Sequence, residues 1–224
     1  MVRSPLRSRT QRKLIGSPQQ RLLLAATEIF TSRGYAATSV REIVERAGVT
    51  KPVLYYHFAS KEGIYLALVE QLLADFEALL AEGREHHGSA RECVTAMCVD
   101  LYELVLERLD VVRFFYAVFY GAPQSAPFFE FQVFPNRFRA AVQGALRDGL
   151  AAGELRDRSL SDMTTAVEAM LNIATEIALT EPNRNFSSDD LARLISLLFD
   201  GIAEPVPAKA RGARALRGRA RGTP

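Results

Sequence analysis

Between Thr38 and Lys61 the chain reads TSVREIVERAGVTKPVLYYHFASK, and its polar groups suit the gripping of a polyanion better than the breaking of bonds. Lys51, Pro52 and Val53 stand at the leading end of a short helical run. An amine there can donate to guanine O6 or N7, and the two apolar residues can touch a thymine methyl. Arg41, on the preceding run, can reach a base or the backbone. An apolar set of Val40, Ile43, Val44, Ala47, Leu54 and Phe58 leaves Arg41, Lys51, Tyr55, Tyr56 and His57 to face elsewhere.

The elements that must hold these groups are punctuated within the same stretch. Ser39 followed by Glu42 is a capping box, Gly48 permits a sharp turn, and Thr50 is placed to cap a second helix with Pro52 in its first turn. Ser60 opens a third helix. Two short capped helices in this order are a helix-turn-helix. Ahead of them, Ser17 and Pro18 start a core-facing helix that Gly34 ends, with Leu22, Leu23, Ala26, Ile29 and Phe30 on one face. Behind them lies a long amphipathic helix carrying Ile64, Leu68, Leu72, Phe76, Leu79 and Leu80, expected to stop at Gly83. Gly63 is a weak spot in its first turn.

Further helical spacing covers Ala90–Leu109, Asp110–Tyr120, Asn136–Ala152, Leu160–Thr180 with Ser159 as N-cap, and a last helix opened by Ser187 or Ser188 and running to Ile202. Residues 124–135 read as an aromatic-anchored loop or an irregular helix between two prolines. No stretch alternates with period two, so the chain is predicted to be all-α, with about nine helices. It divides into a basic arm at 1–16 expected to be disordered, a helix-turn-helix domain at 17–62, a helical body at 63–204 and a basic tail at 205–224, also expected to be disordered.

The formal net charge of +2 conceals an uneven layout. Residues 1–21 and 205–224 each hold six Lys/Arg and no acid, the helix-turn-helix is nearly neutral, and the body is acidic. One end of the molecule thus suits a polyanion. With both tails arginine-rich, an architectural or non-specific nucleic-acid-binding protein is the alternative reading. No apolar run approaches the roughly 20 residues of a membrane span, and nothing follows the first arginines that resembles a secretory signal, so a cytoplasmic location is expected. The two cysteines, Cys93 and Cys98, read as reduced and partly buried. Three histidines, no nucleophile elbow, no phosphate-binding glycine loop and no metal-ligand spacing argue against an enzyme, and neither cofactor nor metal is expected. Glu168 and Glu176, eight apart on one helix, read as amphipathic patterning rather than a catalytic pair.

The run AATEIFTSRGYAATSVREIVERAGVTKPVLYYHFASKEGIYLAL, with its Gly-Tyr, Thr-Ser, Ala-Gly-Val and Tyr-x-His-Phe-x-x-Lys features, resembles the TetR family of bacterial transcriptional regulators. The resemblance covers about residues 25–68; the remaining two thirds carries no assignable motif. It implies that Tyr55, Tyr56, His57 and Lys61 contact DNA, largely its phosphates, with Thr38, Ser39 and Thr50 adding hydroxyl and helix-N-terminal contacts. Competing readings pack one tyrosine on the first helix and use His57 as a cap.

The same resemblance implies a homodimer built on the last two helices, an inverted-repeat operator, and a small-molecule effector that releases a repressor. Ala166, Met170, Ala174, Ile177, Leu191, Leu194, Ile195 and Leu198 are the expected dimer contacts. The aromatic concentration between residues 114 and 138 suggests an apolar pocket lined by Phe115, Tyr116, Phe119, Phe128 and Phe131, with Tyr102, Asn172 and Glu176 as polar selectors.

Overall fold

A computed structural model describes residues 16–85, 88–121, 126–181 and 183–201. The expected disorder of the arm over residues 1–15 and of the tail falls outside them, as do His86 and His87; the last helix, expected to run to about Ile202, ends at Asp200 with Gly201 as its C-cap. Nine α-helices and no strand occur among the described residues: α1 Pro18–Arg33, α2 Val40–Ala47, α3 Lys51–Phe58, α4 Lys61–Glu85, α5 Ala90–Glu107, α6 Leu109–Phe119, α7 Val133–Ala151, α8 Leu160–Thr180 and α9 Ser188–Asp200. None is long and apolar enough to cross a membrane.

Side-chain caps fix most of the starts. Ser17, Ser39, Ser89 and Ser187 each form a reciprocal capping box with Gln20, Glu42, Glu92 and Asp190, and Ser159 accepts from the backbone of Asp162. Thr50 precedes α3 in extended conformation but makes no capping bond. Gly83 does not end α4, which continues to Glu85; it lies buried against Met97 of α5, where a Cβ would approach Met97 Cγ to 2.4 Å. The aromatic segment after residue 126 becomes helical at Val133, earlier than the expected Asn136, because Pro135 is accommodated in the first turn of α7.

Burial is organised around two clusters. Leu22, Phe30, Ile43, Leu54, Ile64 and Tyr65 form the first, closed from the body side by Phe114 and Phe115 of α6. Met97, Tyr102, Val142, Leu146, Leu191 and Ile195 anchor the second, joining α5, α7, α8 and α9. Leu22, Ile43 and Leu54 are wholly buried and contribute about 1.5–3 kcal/mol each. The 25-residue α4, roughly 37 Å long by its rise, gives Ile64, Tyr65, Leu68 and Val69 to the first cluster and Leu80 to the second. It is the beam on which α1–α3 are carried.

Candidate nucleic-acid interface and cavity

At the start of α2, Ser39 N–H donates to Glu42 Oε2 at 2.8 Å and Glu42 N–H donates to Ser39 Oγ at 3.3 Å. The backbone N–H of Ser39 is the main reason the Glu42 carboxyl titrates below its ordinary value, aided by the Ser39 hydroxyl and by Arg33, 2.8 Å away. The N-cap therefore belongs to Ser39. Thr38 is buried and donates its hydroxyl to Gly34 O at 2.8 Å, so the structure places it inside the loop. Gly48 ends α2 in the left-handed region at φ 63° and ψ 41°, which turns the chain into α3.

Leu54 and Phe58 bind α3 to the first core. Lys51, Pro52, Tyr55 and Tyr56 then repeat at i, i+4 on the outer face, all exposed. Neither tyrosine packs inward: Tyr55 is 51% and Tyr56 85% accessible. Val53 and His57 are half-buried at the margin, the His57 ring meeting Tyr56 edge-on at 5.0 Å. Thr50 is exposed beside Lys51, and Arg41 is exposed on α2 but paired with Glu45 at 2.7 Å.

Lys61 is less free than its place beside this face suggested. Its Nζ donates to Tyr35 O at 2.9 Å and Thr38 O at 2.8 Å and stands 4.1 Å from the Tyr35 ring centre. Partial burial lowers its pKa. Two of its three donors thus pin the α1–α2 connection.

Behind this head, α4 to α8 line a cavity of about 370 Å³, within the range of small-molecule pockets, that is open to solvent beside the exposed Phe119 and Tyr120. Phe115, Tyr116, Phe119, Phe131 and Asn172 line it, as expected, beside Phe76, Phe134 and Phe138. Burial, then Tyr120 and Glu176, push the Tyr116 phenol up. Three expected lining residues lie elsewhere. Tyr102 is in the second core and donates its hydroxyl to Phe186 O at 3.0 Å, Phe128 is 90% exposed, and Glu176 is exposed on α8 outside the lining, though near enough to Tyr116 for its charge to act on the phenol. Sequence reasoning missed the charged pair in the wall, Arg139 Nε to Glu168 Oε1 at 3.0 Å. The two residues are 29 positions apart, and only the amphipathic interruption at Glu168 marked the spot.

α6 touches both regions. Phe114 stacks on Phe30 of α1 at 5.2 Å, Thr31 donates to Asp110 O at 3.0 Å, and the adjacent Phe115 forms cavity wall.

The outer face of α8 and α9 exposes Ile173 (45%) and Leu197 (47%). Ala166, Met170, Leu194 and Leu198 are half-buried. Ala174, Ile177, Leu191 and Ile195, expected at a dimer contact, are instead buried within the protomer; they occupy the inward stripe of the same two helices.

A compact α1–α3 head, with a helix-turn-helix that displays an exposed polar row on its second helix, is the architecture of a DNA-binding transcriptional regulator. Residues 22–68 match the profile described as bacterial regulatory proteins, tetR family. The transcriptional activator FasR of Mycolicibacterium smegmatis is 56% identical over 50 residues, which are 22% of this chain and 23% of FasR. The transcriptional repressor KstR2 of Rhodococcus jostii is 26% identical over 190 residues, 82% of this chain and 90% of KstR2. In fold, the chain is similar to the TetR family regulator PfmR of Thermus thermophilus, with a TM-score of 0.67 at 21% identity, covering 85% of this chain and all of PfmR. Residues 22–68 thus carry the DNA-binding domain of the TetR family of bacterial transcriptional regulators, and the chain as a whole has the fold of its members.

Proposed function

We propose that the chain is a homodimeric, ligand-responsive repressor that binds an inverted-repeat operator through α3 and leaves it when a small apolar effector occupies the α4–α8 cavity. The observation that carries this reading is the outward row of Lys51, Pro52, Tyr55 and Tyr56 on a helix held rigidly by Leu54 and Phe58. Lys51, Pro52 and Val53 read base edges; Tyr55, Tyr56, His57, Thr50 and the helix N-terminus at Ser39 hold phosphates.

A second copy packs on the outer face of α8 and α9, where Ile173 and Leu197 stand uncovered. Two-fold symmetry then demands a palindrome, with half-sites about one helical turn apart.

Release runs through α6. An effector pressing on Phe115 moves the helix whose Phe114 is stacked on Phe30, tilting α1 and α4 and changing the spacing of the two recognition helices. The effector acts only by the difference in its affinity for the two arrangements. The repressor assignment draws on the name of KstR2, the relative matched over most of its length, rather than on FasR, matched over 50 residues.

A mobility-shift titration of the full chain on its own upstream DNA tests the reading. Saturable binding to one inverted repeat, resisting competitor DNA, is expected; binding blind to sequence and symmetry would sink it.

A further inference from the structure

Building on the reading of the α4–α8 cavity as the effector site, we propose that the effector is an uncharged, ring-bearing molecule whose hydroxyl donates a hydrogen bond to Glu168 Oε1. Glu168 projects from α8 into the cavity wall with its side chain only 14% exposed. Its Oε1 is buried and receives no hydrogen bond among the described residues. Arg139 Nε lies 3.0 Å away as an ion-pair partner, but its N–H is not aimed along a hydrogen-bond direction, and the better directed contact is the 3.4 Å one from Arg139 to Oε2. A buried carboxylate oxygen that the protein meets with a charge but with no directed donor favours an occupant that brings one.

The remaining chemistry narrows the class. Arg139 already spends its other terminal nitrogen on Asn136 Oδ1, 3.5 Å away, and its charge is matched by Glu168. The pair is neutral as a unit. An anionic ligand would face Glu168 and a cationic one Arg139, each in a wall of low polarity, whereas a hydroxyl meets neither penalty. The rest of the wall is aromatic, with Phe115, Phe119, Phe131 and Phe134 among its rings, and favours a flat ring body that can meet them edge-on or offset.

The test is calorimetric titration of the full chain with 2-naphthol, 2-methylnaphthalene and 2-naphthoate, repeated on Glu168→Ala and Glu168→Gln. Wild type is expected to bind the naphthol about ten- to a hundredfold more tightly than the methyl compound, and the naphthoate most weakly. Glu168→Ala removes the acceptor and frees Arg139, so the naphthol advantage should vanish and the naphthoate should become the preferred ligand. Glu168→Gln keeps the shape and an acceptor without the charge, and should retain a reduced advantage even if the alanine variant does not fold. Equal wild-type affinity for naphthol and methylnaphthalene overturns the donor assignment but leaves the cavity reading standing. Tightest wild-type binding of naphthoate overturns it in favour of an anion read by Arg139. Absence of binding by all three overturns this assignment and the cavity reading together.

Discussion

The carbonyl oxygen of Phe58 occupies the space that a side chain on Gly63 would need: a Cβ there would stand 1.8 Å from it. The contact follows from a tight γ-turn, in which Ser60 N–H donates to Phe58 O at 2.7 Å and Ala59 adopts φ 60° and ψ −30°. The last carbonyl of the recognition helix is thereby pressed against the first turn of α4. Gly63→Ala must displace one helix or the other. We expect a loss of about 1–3 kcal/mol in urea unfolding, with weaker operator binding beyond what the unfolded fraction explains. Unchanged values for both would show that the turn yields freely.

Lys61 offers a sharper distinction. If it pins the Tyr35–Thr38 connection, Lys61→Ala should destabilise the protein by roughly 1–3 kcal/mol, since two charge-assisted bonds to carbonyls are lost. The salt dependence of operator binding should barely change. A direct phosphate contact would instead lower the salt slope by about 1 with little effect on stability. Lys51→Ala, by contrast, should relax base preference at one position of each half-site, at a cost of about 1–3 kcal/mol.

Tyr65 is wholly buried between the head and α6, and its hydroxyl has no hydrogen-bond partner among the described residues. Burial, and secondarily Tyr35, push its pKa up from 10.0 to about 12. The folded state thus keeps its proton where the unfolded chain loses it. The resulting stability is fully present below pH 10 and is lost as pH rises toward 12. Tyr65→Phe should flatten that decline and add about 1 kcal/mol near neutrality by removing the unsatisfied hydroxyl. Cys98, pushed by burial from 9.0 to about 12, leaves a residual alkaline slope in the variant. Denaturant unfolding at a series of pH values checks both effects.

Much of the fold was legible because local chemistry settles it. The Ser-x-x-Glu box at Ser39, the turn at Gly48 and the inward stripe of Leu54 and Phe58 require only neighbours in sequence. Long-range pairing was not legible. Nothing local says that Lys61 reaches back to Tyr35, that Gly83 accommodates Met97, or that Arg139 meets Glu168. The same limit applies to the expected dimer contacts. Apolar residues on α8 and α9 identify two stripes, but only the packing shows that Ala174, Ile177, Leu191 and Ile195 face inward while Ile173 and Leu197 face out.

That outward stripe yields a further prediction. Ile173→Glu together with Leu197→Glu should convert the proposed dimer to monomer in sedimentation experiments at micromolar concentration, because charge is placed on the apolar surface that the proposal buries. Helical content should be unchanged, since neither side chain belongs to the protomer core. Persistence of the wild-type sedimentation rate would move the interface elsewhere.

The central claim, that a symmetric pair of α3 helices reads DNA, is tested most directly by hydroxyl-radical footprinting of the full chain on its upstream DNA. Two protected half-sites related by inverted symmetry and about one helical turn apart, both lost in Tyr55→Ala/Tyr56→Ala, are the result expected. Uniform protection without symmetry, or protection that survives the double substitution, would contradict it.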